Sequence, residues 1–302
     1  MYGIVPLYKD RGMTSADCVS RCRRIFKTRR VGHSGTLDPN VDGVLPICIG
    51  KATKVVNYLM ASGKIYRGEV TLGFATETED LDGAKIAEEK LAKPFSEAEI
   101  DAAMAKLTGE ITQIPPMYSA VKVKGRRLYE YARAGEKVER PRRKALIKYF
   151  TRKSSEFDLE TGYQKIKFEV GCGKGTYVRT LAVDLGKILG VPAVMSDLTR
   201  IKSGGFTIDQ AVSLDQLKEC QSEEDLEKYV FPVDHALENL PQVQLSASQW
   251  KIVKNGGFLS ARQLDVNDAK LVALQYDGRI RCVYRYNAER GRYQPETMID
   301  LD

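Results

Sequence analysis

The chain has 302 residues, 43% hydrophobic and 29% charged, with a formal net charge of +7. That is enough for one large domain or two ordinary ones, with the composition of a soluble globular protein. No stretch approaches the ~20 apolar residues of a membrane span, and MYGIVPLYKDRG lacks the basic-then-apolar order of a secretory signal, so a cytoplasmic location is expected.

Gly3 to Tyr8 is a short apolar strand. After a turn, Thr14 or Ser15 is placed to cap a helix with Cys18, Val19, Cys22, Ile25 and Phe26 on one face. The sixteen residues Val31–Pro46 then hold three glycines, two prolines, two acids and one of only two histidines. Gly32, Gly35 and Gly43 free the backbone for tight turns, and Pro39 pushes Asp38 toward an extended conformation. The apolar run Val44–Ile49 reads as a buried strand anchoring this loop. A carboxylate on so constrained a loop points one way, which suits a catalytic acid, although an Asp before Pro is more often a turn residue.

Ala52 to Met60 is predicted helical. Lys64 to Gly73 alternates as a strand, with Tyr66, Val70 and Leu72 on one face. Tyr66, on pattern alone, is a core aromatic. The acidic stretch Glu77–Glu89 nearly spells a calcium loop, but its first position is Thr78 and its usually apolar eighth is Lys85, so no metal is expected. Ser96 and Glu99 form a capping box opening a helix with Ile100, Ala103, Met104 and Leu107. From Ser119 to Lys153 there are 13 Lys+Arg against 3 Glu, a net +10, which leaves −3 for the rest. Tyr129 and Tyr131 interleave with these cations, so the segment has the phosphate contacts and stacking surfaces of an RNA binder.

Lys144–Arg152 and Tyr163–Gly171 are predicted strands. Cys172–Gly186 is not a nucleotide-binding P-loop, because Gly175 separates Lys174 from Thr176. Phe231–Pro232 to Leu240–Pro241 reads as a linker. Beyond it, Leu271–Tyr276 and Arg279–Tyr286 flank Asp277–Gly278, a strong hairpin signal. The six cysteines, Cys18, Cys22, Cys48, Cys172, Cys220 and Cys282, lack metal-ligand spacing and read as buried free thiols.

The string GHSGTLDPNVDGVLPICIGKATK (residues 32–54) closely resembles the signature of the TruB family of tRNA pseudouridine synthases. KIYRGEVTLG, PPMYSAVK and GTYVRTLAVDLG resemble three further motifs of that family, and the match is strong over residues 1–232. The resemblance implies an α+β fold: a mixed, largely antiparallel sheet in a catalytic domain, residues 1–232, with a basic RNA-contacting insertion at about 85–150. A small β-rich PUA-like module, residues 233–302, would follow. It implies isomerisation of uridine 55 in the tRNA T-loop, with no metal or cofactor, by a monomer needing no protein partner. Asp38 falls on the catalytic Asp, Tyr66 on the Tyr that stacks on the base, and Arg179 on a site residue; a fixed guanidinium there is suited to pair with Asp38 and keep it ionised and aimed. Tyr177 and Leu198 fall on the pocket wall, while His33 is expected to fill the gap left by the flipped base. Arg126 and Arg127 are expected on the RNA. Lys9 is expected in support, beside Asp10 where the family usually has Pro.

Overall fold

The computed structural model describes residues 1–266 and 269–300. Residues 1–62 form β1 (Gly3–Lys9), α1 (Ser15–Ile25), β2 (Val31–His33), β3 (Asp42–Ile49), a 3₁₀ segment (Gly50–Val55) and α2 (Val56–Ala61). Thr14 caps α1: its hydroxyl accepts from the Asp17 N–H, and Asp17 accepts from the Thr14 N–H. The helix expected over Ala52–Met60 begins as 3₁₀ through Val55, the tighter turn common at helix starts, and becomes α at Val56.

Residues 63–202 form a second compact unit. It contains β4 (Lys64–Leu72), β5 (Phe74–Thr76), β6 (Lys85–Glu88), α3 (Glu97–Lys106), β7 (Gly109–Gln113), β8 (Lys122–Val123), β9 (Arg126–Arg127), α4 (Leu128–Arg133), β10 (Arg143–Asp158), β11 (Tyr163–Cys172), α5 (Val178–Leu189) and β12 (Ala193–Ser203). Its strands run in the order β12-β4-β11-β10-β7, antiparallel for β4–β11, β10–β11 and β7–β10. The alternation seen in β4 and β11 buries Tyr66, Val70 and Leu72, and Ile166, Phe168 and Val170. The strand expected to stop at Arg152 runs on to Asp158. The polar run after Arg152 still pairs with Tyr163–Lys167, past a register shift between Arg152 and Ser154. Of residues 85–150, β7 and the start of β10 are sheet strands and α3 packs on β10. Residues 114–142 carry only the β8–β9 hairpin and α4.

Residues 203–302 belong to the same compact unit as 1–62. They give β13 (Phe206–Thr207), α6 (Leu214–Glu219), α7 (Glu223–Glu227), β14 (Gln242–Gln244), α8 (Ala247–Lys254), β15 (Leu259–Ser260), α9 (Ala261–Leu264), β16 (Leu271–Tyr276), β17 (Arg279–Asn287) and β18 (Arg292–Met298). The last module is a five-stranded sheet, β14-β16-β17-β18-β15. The β16–β17 hairpin turns at Asp277–Gly278, both at positive φ (54° and 70°), as its sequence predicts. The stretch expected as a linker is packed instead. Val233 and Leu237 are buried with Ile4, Val44, Cys48 and Phe206, so its prolines bound a short 3₁₀ segment rather than a free tether. All six cysteines are free, and five are buried.

Candidate active site

In the first unit the construction centres on Asp38. β2 pairs with Ile47–Ile49 of β3, and the Ser34 N–H donates to the Pro46 carbonyl, so the loop leaves and re-enters the sheet at fixed points. Leu37 and Val41 are buried on either side of the acid. The Leu37 N–H donates to Ser15 Oγ at 2.9 Å and the Val41 N–H to the Asp38 carbonyl at 3.1 Å. The Pro39 carbonyl accepts from the Gly12 N–H at 3.0 Å and from Lys9 Nζ at 2.9 Å. Gly35 (φ +123°) and Gly43 (φ +109°) take conformations that other residues resist. Main-chain bonds thus fix the residues around Asp38, which is half-buried between buried Leu37 and exposed Pro39. The loop's other acid, Asp42, accepts from Tyr8 Oη at 2.8 Å and pairs with Arg11 at 3.3 Å. Burial first, and then that bond, push the Tyr8 phenol up to about 12.

Lys9 lies under the same loop. It is fully buried, and its ammonium donates to the carbonyls of Asp10, Met13 and Pro39 at 3.0, 2.7 and 2.9 Å. It clamps the Asp38 loop from beneath and is not placed to contact a substrate. Burial lowers its pKa. His33 stands at the entry of the loop, half-buried, with Nδ1 accepting from the Gly35 N–H at 3.3 Å.

In the second unit the structure brings four expected residues into two pairs. Tyr66 is buried on β4, two residues from Gly68, so both face the same side. A Cβ on Gly68 would lie 2.9 Å from Leu198 Cδ1 and 2.5 Å from the Asp197 carbonyl. Leu198 therefore rests in the space that Gly68 leaves empty, on the face bearing Tyr66. Tyr177 and Arg179 open α5. The Tyr177 N–H donates to Gln113 Oε1 at 3.0 Å, and Gln113 Nε2 donates to the Tyr177 carbonyl at 3.1 Å.

Arg179 is buried and ties two other segments to its own helix. It donates to the Thr78 carbonyl at 2.9 Å and to the Tyr118 carbonyl at 3.0 Å, and it pairs with Asp80 at 3.3 Å. Asp80 is itself oriented, accepting from Thr78 Oγ1 and from the Asp82 N–H. The near-calcium loop thus turns one carboxylate toward a guanidinium. Among the described residues no group of three or more His, Cys, Asp or Glu is arranged to hold a metal. Gly68 and Gln113 were not singled out from the sequence, and Asp80 was read only as a position of the near-calcium loop. Gly68 left a signal as a glycine inside a strand.

The basic segment forms a concavity of about 550 Å³ that includes Lys122, Lys124, Lys137, Arg140, Arg142 and Arg143. Arg126 and Arg127 lie exposed on β9. Arg126 stacks over Tyr131 at 4.3 Å and pairs with Glu136 at 2.8 Å, while Arg127 donates to Tyr129 Oη at 2.9 Å. Six cations around one concave surface form a phosphate-attracting face.

Residues 23–178 match the model of the TruB family pseudouridylate synthase N-terminal domain, and residues 179–238 that of the tRNA pseudouridylate synthase B C-terminal domain. The chain is 62% identical to the tRNA pseudouridine synthase B of Ligilactobacillus salivarius over the whole of both chains. It is 57% identical to that of Lactiplantibacillus plantarum over 99% of each. A solved H/ACA RNP bound to a substrate RNA containing 2′-deoxyuridine is similar in fold, with TM-score 0.72 and 25% identity over 98% of this chain and 84% of that one. A Cbf5-Nop10-Gar1 complex gives 0.70 and 28%, over 99% and 84%. The chain belongs to the TruB family of pseudouridylate synthases.

Proposed function

We propose that the chain isomerises uridine 55 in the T-loop of tRNA to pseudouridine, acting alone. The observation that carries this reading is the construction around Asp38, in which bonds to Ser15, Gly12 and Lys9 hold the backbone and leave one carboxylate aimed by a rigid loop. In the proposed reaction the target base is flipped out of its folded loop. Flipping costs a few kcal/mol, offset by phosphate contacts and stacking. Asp38 promotes cleavage of the C1′–N1 bond. The freed uracil turns and rejoins through C5, the C5 proton leaves and N1 gains one. No net oxidation or reduction occurs, so the reaction calls for no cofactor.

Arg179 is a residue of the reacting site, Tyr66 stacks on the base, and Tyr177 and Leu198 wall its pocket. His33 fills the gap left in the loop, Arg126, Arg127 and the concave basic face take phosphates, and residues 233–302 help hold the acceptor arm. The test is to incubate an unmodified tRNA transcript with the purified chain and map pseudouridine by carbodiimide modification and primer extension. A single new stop at position 55 supports the reading. A stop elsewhere, or one that needs an added guide RNA and partner proteins, contradicts it.

A further inference from the structure

α5 carries both Tyr177 and Arg179 at its start, yet its own sequence caps it poorly. The Tyr177 side chain makes no capping hydrogen bond, and the first turn contains no acidic residue. Two side chains from elsewhere in the unit bind its start instead. Gln113 brackets the Tyr177 backbone, as described above. Glu79 accepts from Thr180 Oγ1 at 2.8 Å, one residue beyond Arg179.

The backbone at Glu79 is locked in an unusual state. Its φ is +66°, a conformation that glycine would take with less strain. Its N–H donates to the Thr76 carbonyl, and its own carbonyl accepts from the Met195 N–H at 3.1 Å. A strained position filled by Glu keeps a carboxylate where a glycine would have relieved the chain. The charged groups around it are Arg179 and Lys187 on α5 and Arg140 on the basic segment, with Asp80 next in sequence. Burial raises the Glu79 pKa, and the Thr180 hydroxyl and these cations oppose the rise.

We propose that Glu79 is a positioning residue for Arg179, supplying the missing anionic cap of α5 through Thr180 and so fixing the turn from which the guanidinium projects. This rests on the reading of Arg179 as a residue of the reacting site. The experiment compares E79Q, T180V, T180S, the double variant E79Q/T180V and R179A in the full chain. It measures single-turnover conversion of tRNA with enzyme in excess, tRNA Kd and melting temperature. E79Q and T180V should each slow conversion about tenfold, with Kd within about twofold and melting within a few degrees. The double variant should be no slower than the worse single one, because E79Q removes the charge and T180V the hydroxyl of one link. T180S, which keeps the hydroxyl, should recover most of the rate.

E79Q converting at the wild-type rate would overturn the proposal. So would losses that multiply in the double variant, or losses that follow melting or Kd. R179A at the wild-type rate would instead remove Arg179 from the chemistry, whereas a slow R179A beside a fast E79Q would sink the role of Glu79 alone.

Discussion

Asp80→Asn is a searching perturbation of the second unit. Asp80 faces Arg179 at 3.3 Å with both side chains largely out of water, 13% and 6% exposed. Asparagine keeps the volume and an acceptor for Thr78 and the Asp82 N–H, but it removes the charge opposite the guanidinium. Leaving one partner of a buried pair alone costs about 3–5 kcal/mol. Here Arg179 keeps two carbonyl acceptors, so the loss is nearer that of one charge-assisted hydrogen bond, ~1.5–3 kcal/mol. If about 2 kcal/mol of this is felt in the transition state, single-turnover conversion should slow roughly 30-fold. The assay is tritium release from tRNA carrying 5-³H-uridine, with tRNA Kd and melting temperature measured on the same preparation. Conversion within twofold of wild type would show that Asp80 does not hold Arg179 for the reaction. A rate loss matched by a proportionate loss of melting temperature would make the pair structural only.

Three further outcomes are expected. Replacing Arg126 and Arg127 together by Ala should flatten the slope of log K against log salt by roughly 1–2 units, at ~0.7–0.9 for each phosphate no longer neutralised; an unchanged slope would mean these arginines serve only Glu136 and the tyrosines. Gly68→Ala sets a Cβ 2.5 Å from the Asp197 carbonyl, so β12 must shift, stability should fall by about 1–3 kcal/mol in denaturant titration, and Leu198 should lose its seat; an unchanged midpoint would deny the close approach. The Thr14 hydroxyl, and then its N–H, hold the Asp17 carboxyl below 3.8. A lowered folded pKa stabilises above the unfolded value and is lost as pH falls through the folded one, so Asp17→Asn should melt below wild type at neutral pH, with the gap closing as pH falls below the ordinary carboxylate range. A gap that persists in acid would assign the loss to packing.

The Asp38 loop was legible because its constraints are local: Gly35, Pro39 and Gly43 act on the backbone next to them, and Val44–Ile49 anchors it directly. The β16–β17 hairpin was legible for the same reason, since Asp277–Gly278 has few other uses between alternating runs. What escaped was the support supplied across the chain. Asp80 and Glu79 lie about a hundred positions from Arg179 and Thr180, and their spacing carries no trace of the meeting. Gln113 looked like an ordinary residue before two prolines, though it brackets Tyr177. The sequence put Lys9 in support without saying of what, and only its burial against three carbonyls shows it to be a clamp. The register shift that lets β10 continue past Arg152 is likewise a tertiary feature, written in β11 as much as in β10.

The central claim is that Asp38 carries the chemistry. Its most direct test is Asp38→Asn, which keeps the shape of the side chain and removes its capacity as nucleophile or base. Single-turnover tritium release from 5-³H-uridine tRNA should fall to background, while tRNA Kd stays within a few-fold of wild type. Release at a near wild-type rate would remove Asp38 from the mechanism.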